Sequence, residues 1–417
     1  MSEARPLGLF QGFGIELEYM IVQRQTLAVL PVSDQVLKAV AGDYVSETAQ
    51  GALAWSNELV LHVIELKSNG PAASLDGLAE AFQADLRRID GLLEPLRGRL
   101  MPTAMHPWMD PHRETRLWPH DYNPIYESYD RIFGCQGHGW SNLQSMHINL
   151  PFADDAEFAR LHAAIRLLLP VMPALAASSP IAEGRATGFL DTRLESYRGN
   201  AARIPSITGA VVPETVSSQA EYQARILKPM YRDIAPHDPQ GILQEEWLNS
   251  RGAIARFDRS AIEIRVLDIQ ECPQADLAVA AAIVAVLRAL AEERWSALPT
   301  QQALPTQALA EIFLQAARYG GDALIGDRAY LAALGASPAE RLSAADLWRH
   351  LLECVPLGGG PQAGACSQAL GVILDDGCLA RRILAATGPE PSHSRLRAVY
   401  GELCDCLLEG RQFRDLP

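Results

Sequence analysis

Three kinds of signal are missing from this chain of 417 residues. No CxxC pair occurs among its seven cysteines, Cys135, Cys272, Cys354, Cys366, Cys378, Cys404 and Cys406. Their number is odd and their spacing scattered, which argues against a disulfide framework and makes a reducing cytoplasm the expected compartment. Cys404 and Cys406 read as incidental residues of a terminal helix. Basic charge is the second shortage: 36 Lys and Arg stand against 50 Asp and Glu, a formal net charge of -14. An acidic surface repels phosphate backbones, so neither nucleic acid nor an anionic membrane is expected as a partner. Any nucleotide site here needs local cations, from Arg, Lys or bound magnesium.

Third, the familiar phosphate loops are absent. There is no GxxxxGK[ST] segment, and Gly12-Phe-Gly14 leads into a strand, which is not the context of a dinucleotide fingerprint. The opening MSEARPLGLF has no long apolar run and no signal-like cleavage site, so no targeting segment is expected. The most apolar stretch, Leu277 to Leu287, is followed by Arg288 and falls short of the ~20 residues that span a bilayer. It reads as a buried helix. Internal repeats and low-complexity tracts are also lacking.

What is present is a large hydrophobic share, 48%, enough for a sizeable core. Four segments alternate with period two and are predicted as strands. In Phe13 to Val22, Ile15, Leu17, Tyr19 and Ile21 face one way, and Gly14, Glu16, Glu18 and Met20 the other. Glu58 to Lys67 is rich in Val, Ile and Leu. Leu143 to Leu150 puts Ser145, His147 and Asn149 on one face, and Ala261 to Asp268 puts Glu263 with Arg265 opposite Ile262, Ile264 and Val266. Helices are expected between them: one capped by Ser74 with Leu75, Leu78, Phe82, Leu86, Ile89 and Leu93 as its stripe, one over Asp155 to Leu169, and one over Asp276 to Trp295. The last third, from about Pro273, has helical period, interrupted by Leu357-Gly358-Gly359-Gly360-Pro361. Strands separated by helices and long loops predict an α/β or α+β fold.

One sheet face thus gathers Glu16, Glu18, His147, Glu263 and Arg265. Taken singly, each Glu suits a solvated strand face. Together they crowd carboxylates whose repulsion a hard divalent cation would relieve. Magnesium prefers oxygen ligands and shares them with substrate phosphates; His147 is a less usual ligand for it, but manganese tolerates imidazole. Glu58 and Glu65 are seven apart, so a regular strand splits them between faces. A bulge, or a position for Glu58 in the loop before the strand, would reunite them. Arg265 fits two roles, a brace for the carboxylates or a clamp on a phosphoryl group. The segment after Ala174-Leu-Ala-Ala-Ser-Ser-Pro180 reads as a loop in which Arg185, Arg193 and Arg198 could take carboxylate or phosphate. His138 reads as a solvated loop residue.

Gly14-Ile-Glu16-Leu-Glu18, the Glu58 to Glu65 segment, Met146-His147-Ile-Asn149, the Ala-Ser-Ser-Pro turn and Ile262-Glu263-Ile-Arg265 follow one another as in glutamate–cysteine ligases and related bacterial carboxylate–amine ligases. The resemblance covers roughly residues 10 to 290. It implies a glutamine-synthetase-like α+β fold: a curved antiparallel sheet, helices on its convex face and a helical C-terminal part. Residues 1–297 then form the catalytic domain and 298–417 a helical region packed on it. The resemblance also implies magnesium ligands at Glu16, Glu18, Glu58, Glu65, His147 and Glu263, with Mn²⁺ as the alternative ion. By the same resemblance Arg265 is expected by the transferring phosphate, and Arg193, a looser match, to contact substrate or phosphate; Arg198 and Asn149 are further candidates for binding substrate or phosphate. The implied reaction uses ATP to join the γ-carboxylate of glutamate to an amine through an acyl phosphate. Cysteine is favoured because His147-Ile-Asn149 resembles the true glutamate–cysteine ligases. A carboxylate–amine ligase with another acid or amine, or a guanidino-kinase-like phosphotransferase on the same sheet type, is the alternative. Partners are expected to be small molecules, with homo-oligomerisation left open.

Overall fold

The alternating segments assemble into one antiparallel sheet. The computed structural model describes residues 6–337, 341–355, 357, 361–388 and 390–415. Its strands are β1 (Gly14–Gln23), β2 (Glu47–Gln50), β3 (Leu53–Asn57), β4 (Val63–Ser68), β5 (Gly98–Met101), β6 (Ser145–Pro151), β7 (Ala253–Arg256) and β8 (Ala261–Asp268). They lie in the order β2-β3-β4-β1-β6-β8-β7, every pair antiparallel. β1 is long enough for three partners: β4 pairs with Glu16 to Met20, β6 with Gly14 to Leu17, and β5 with Met20 to Gln23.

The apolar face of this sheet is one wall of the main core. Ile15, Leu17 and Tyr19 of β1, Met146 and Ile148 of β6, and Ile262 and Ile264 of β8 are buried there. The helices α1 (Leu78–Leu93), α2 (Asn123–Phe133), α3 (Asp155–Leu168), α4 (Thr192–Tyr197), α5 (Pro273–Ala291), α6 (Pro361–Asp375), α7 (Leu379–Thr387) and α8 (His393–Glu409) place the rest. Phe82, Leu86 and Ile89 of α1 and Leu161 and Ile165 of α3 supply the facing side chains. α5 packs against α1, α3 and α6. Its 19 residues are long and apolar enough to cross a bilayer, yet 78% of that window is buried inside the fold. Here it is the central core helix, and Pro273 opens it at a first-turn position where a missing N–H costs nothing.

Local geometry departs from the sequence expectations in three places. Glu58 to Lys67 is not one strand. β3 stops at Asn57, and the chain from Glu58 to His62 crosses to residues 116–118 before β4 begins. Leu61 N–H donates to Arg116 O at 2.9 Å, and Trp118 N–H to Leu59 O at 3.0 Å. The hairpin of β2 and β3 turns at Gly51, whose φ of 75° suits glycine. α1 begins at Leu78 after Gly77, so Leu75 precedes it, and Ser74 instead accepts the Asp76 N–H within a turn. The strands β2, β3, β5 and β7 carried too little alternation to be anticipated.

Among the described residues beyond 297 the chain is mostly helical, with a two-stranded pairing of Leu324–Ile325 and Leu342–Ser343. Gly358, Gly359 and Gly360 of the expected interruption lie outside the described residues. Leu379 and Ile383 of α7 and Val399, Tyr400 and Leu403 of α8 share a second core with Met20, Val22 and Met101. A buried ion pair, Arg382 Nη1 to Glu271 Oε1 at 2.6 Å, ties the same region to the segment after β8.

Candidate active site

Pairing register sets the site. Side chains directly opposite in an antiparallel pair share a face. Across β1 and β4, Glu18 stands opposite Glu65 and Glu16 opposite Lys67. Across β1 and β6, Glu16 stands opposite His147 and Gly14 opposite Asn149. Across β6 and β8, Asn149 stands opposite Glu263. Four strands therefore deliver their polar residues to one patch.

Hydrogen bonds fix the patch. His147 Nδ1 lies 2.9 Å from Glu16 Oε2, and Asn149 Nδ2 donates to Glu16 Oε1 at 2.9 Å. Glu18 Oε2 accepts from Ser145 N–H at 2.7 Å and from Ser145 Oγ at 2.9 Å. Ser145 Oγ also meets His147 Nε2 at 2.9 Å. Glu65 accepts from Ser56 Oγ and pairs with Lys67 Nζ at 3.1 Å. Glu263 pairs with Arg265 Nε at 2.7 Å and reaches Arg256 Nη1 at 3.5 Å.

Among the described residues, two sets offer ligand atoms within 4.8 Å of one another: Glu16, His147 and Glu263, and Glu18, Glu65 and His147. Oxygen-rich sets sharing an imidazole fit Mg²⁺ or Mn²⁺. Glu58 is in neither set. It sits in the β3–β4 connection, as the parity argument required of a loop residue, and lines the same cavity. Desolvation there, with the charges of Glu18 and Glu65, pushes its carboxyl well above the usual range.

The remaining titrations show how charge is shared. Burial and the Glu16 charge push Glu65 up to about 7. Burial also opposes the charge on Glu16, but the His147 hydrogen bond and charge, with Lys67, hold it below the usual range. Burial opposes the imidazolium of His147, but Glu16, Glu18 and Glu263 outweigh it and raise its pKa. Glu65 therefore carries a pH signature in metal-free protein. As pH rises, the unfolded chain loses this proton near its ordinary value of 4.5, and the folded chain near 7. The stabilising contribution of protonated Glu65 is complete below the lower value and lost on approaching the upper one. Chemical denaturation in chelator should show wild type losing stability relative to Glu65→Gln across that window. A constant difference would mean that Glu65 titrates as an ordinary carboxyl.

A cavity of about 800 Å³ covers the patch, lined by Glu18, Glu58, Glu65, His147, Arg193 and Arg265 among others, with Tyr126, Tyr129, Tyr197 and Trp247 on its aromatic side. A second cavity, about 580 Å³, runs over Gly12, Gly14, Glu16, Asn149 and Ala261. Glu47, Lys67, Asp258 and Arg259 border both.

The arginine-bearing segment resolves differently from the expected loop. Arg193 belongs to α4, capped by Asp191, which accepts the Leu194 N–H at 2.8 Å. It is buried, with Nε 2.5 Å from Asp268 Oδ1 and both Nη atoms 3.3 Å from the Arg265 carbonyl. Asp268 also accepts from Ser178 N–H at 2.8 Å and Ser179 Oγ at 2.7 Å, which is the task of the Ala-Ser-Ser-Pro turn. Arg198 does not join the site: it is exposed, pairs with Glu195 at 2.5 Å and is not among the cavity's lining residues. Arg185 is exposed beside Glu183. His138, expected as a solvated loop residue, begins a short helix, half-buried, with Nδ1 3.0 Å from Asn142 Nδ2.

Strict alternation would put Asp268 on the apolar face. Against β6 the register slips by one residue between Ile264 and Leu267, a bulge, and this returns Asp268 to the polar face opposite Ser145. Arg256, Lys67 and Ser56 also belong to the site and were not singled out in the sequence, while Ser145, placed there on the face of His147, had been given no role. Lys67 had a signal, two residues along from Glu65 on one strand face. Arg256 had none, since Ala253-Ile-Ala-Arg256 shows no charge pattern.

A family model described as glutamate-cysteine ligase family 2 matches residues 12–402. An uncharacterised protein of Archaeoglobus fulgidus is 39% identical over 296 residues, 71% of this chain and 76% of its own length. A protein of Rubrobacter xylanophilus named "Putative glutamate–cysteine ligase 2-3" is 27% identical over 292 residues, 67% of this chain and 69% of its own. The crystal structure of glutamate–cysteine ligase from Francisella tularensis in complex with AMP shares the fold, with a TM-score of 0.58 at 12% identity, over 97% of this chain and 89% of that one.

Proposed function

The chain belongs to glutamate–cysteine ligase family 2, and from that premise we propose that it uses ATP to join the γ-carboxylate of glutamate to an amine, with cysteine the favoured acceptor. The observation that carries this reading is the pair of ligand sets sharing His147, with Glu18, Glu65, His147 and Arg265 lining one cavity. The AMP held by the Francisella tularensis enzyme, whose fold this chain shares, accords with nucleotide use.

Glu16, His147 and Glu263, and Glu18 and Glu65 with Glu58 beside them, would hold magnesium, manganese being the alternative. When bound, the metal neutralises charge on the phosphates and polarises the group in transfer. The protein's own part is positioning and electrostatics. Glu263 fixes Arg265 at Nε, which leaves the outer guanidinium edge to meet charge on the phosphoryl group. Asn149 and Ser145 orient Glu16, Glu18 and His147. Arg193 holds the Arg265 carbonyl, so it acts through Arg265. A glutamate carboxylate oxygen attacks the γ-phosphorus and ADP leaves. The neutral amine nitrogen then attacks the acyl carbon, the bond from that carbon to the phosphate oxygen breaks, and inorganic phosphate leaves with the proton the nitrogen gives up, leaving an amide.

Phosphate release with ATP, Mg²⁺ and glutamate, screened against cysteine and a panel of amines, tests the reading. Release is expected to require glutamate and to be fastest with cysteine, with a γ-glutamyl amide visible by mass spectrometry. A stable phosphorylated product without free phosphate would favour the phosphotransferase. Silence with every carboxylate would overturn the ligase.

A further inference from the structure

Among the described residues, Lys67 is the one strand residue that brings an ammonium into the carboxylate patch described above. It stands opposite Glu16 across the β1–β4 pair and projects on the same face as Glu65. Its Nζ lies 3.1 Å from Glu65 Oε2, and Glu65 belongs to the set formed with Glu18 and His147. From the other side Glu47, on the edge strand β2, holds the same nitrogen at 2.7 Å. Lys67 is about a quarter exposed and Glu47 mostly exposed, so the ammonium reaches the patch while anchored from its rim. It also borders both cavities.

We propose that Lys67 is a built-in cation of this site, competing with a divalent ion for Glu65, so that the second metal position is weak until polyphosphate arrives. The proposal rests on the metal reading of the face given under the proposed function. A divalent ion on Glu65 must sit near a fixed positive charge held about 3 Å from that carboxylate, and like charges so close repel strongly in a partly buried site. The triply negative end of a nucleotide would neutralise both cations at once. Lys67 thereby couples loading of that position to nucleotide binding, and it acts as a positioning residue.

The test is a titration of the full chain with Mn²⁺ alone, read by electron paramagnetic resonance of the free ion, for wild type, Lys67→Met and Lys67→Arg, each checked by thermal melting. Lys67→Met is expected to gain one tight Mn²⁺ position, or to tighten the weaker one by about tenfold or more. Lys67→Arg, which keeps the charge, is expected to match wild type. Equal binding by wild type and Lys67→Met overturns the proposal and leaves the metal reading standing. Lys67→Arg behaving as Lys67→Met also overturns it, because charge would then not be the cause. Absence of Mn²⁺ binding in every protein overturns the metal reading and the part of Lys67 with it.

Discussion

Glu263→Gln is expected to lower ATP turnover by at least about a thousandfold while the protein stays folded. The substitution keeps shape and removes one charge. That charge serves three neighbours: Arg265 Nε at 2.7 Å, Arg256 Nη1 at 3.5 Å and His147 Nδ1 at 3.8 Å. A glutamine offers a weaker oxygen to a cation, and it no longer pins the guanidinium of Arg265 by charge. Both losses fall on phosphoryl transfer, where positioning and electrostatics supply most of the acceleration. The fold should survive. Arg256 keeps Asp258 at 3.3 Å, and β8 keeps its pairing with β6 and β7. Phosphate release and a circular dichroism melt, measured together, decide it. A folded, Mg²⁺-dependent and active variant would remove Glu263 from the chemistry.

That Glu263 could be named from the sequence follows from period two. Where a strand is regular, as in β1, β6 and the first half of β8, alternation sorted Glu16, Glu18, His147, Asn149, Glu263 and Arg265 onto one face. Three-dimensional events broke the rule elsewhere. Glu58 reaches the cavity because the chain just after it, Leu59 to Leu61, leaves the sheet to bond residues 116–118, a long-range pairing invisible to local pattern. Asp268 reaches the polar face through a bulge whose position no local composition announces. Arg198 was grouped with Arg193 by proximity in sequence. On a helix five residues turn the chain through about 500°, which leaves two side chains roughly 140° apart, so both cannot face one cavity. Helix α4 starting at Thr192 therefore separates them. Arg256 lies on a short strand next to β8, and only the sheet order brings it to Glu263.

Breaking the pair of Arg193 and Asp268 should be the most costly change to the fold that also reaches the site. Each of Arg193→Met and Asp268→Asn is expected to cost about 3–5 kcal/mol, because each leaves a buried charge without its partner. Asp268 is fully buried and receives Ser178 N–H, Ser179 Oγ and the Arg193 guanidinium. With asparagine there, Arg193, only 2% exposed, retains the Arg265 carbonyl at 3.3 Å and the charge of Asp191 but loses its direct carboxylate partner. With methionine at 193, the Asp268 carboxylate faces Asp191, whose own carboxyl is already pushed well up by burial and by Asp268. Combining the two changes removes both stranded charges. The double variant should therefore be more stable than the sum of the single losses by at least about 2 kcal/mol. Urea midpoints for the four proteins measure this coupling, and strict additivity would show that the two residues do not act as a pair. Activity adds a second readout. Arg193 bonds the carbonyl of Arg265 at the bulge, so even the double variant, though partly restored in stability, should turn over ATP more slowly than wild type. Full activity in that variant would separate the buried pair from the catalytic arginine and leave it a purely structural device.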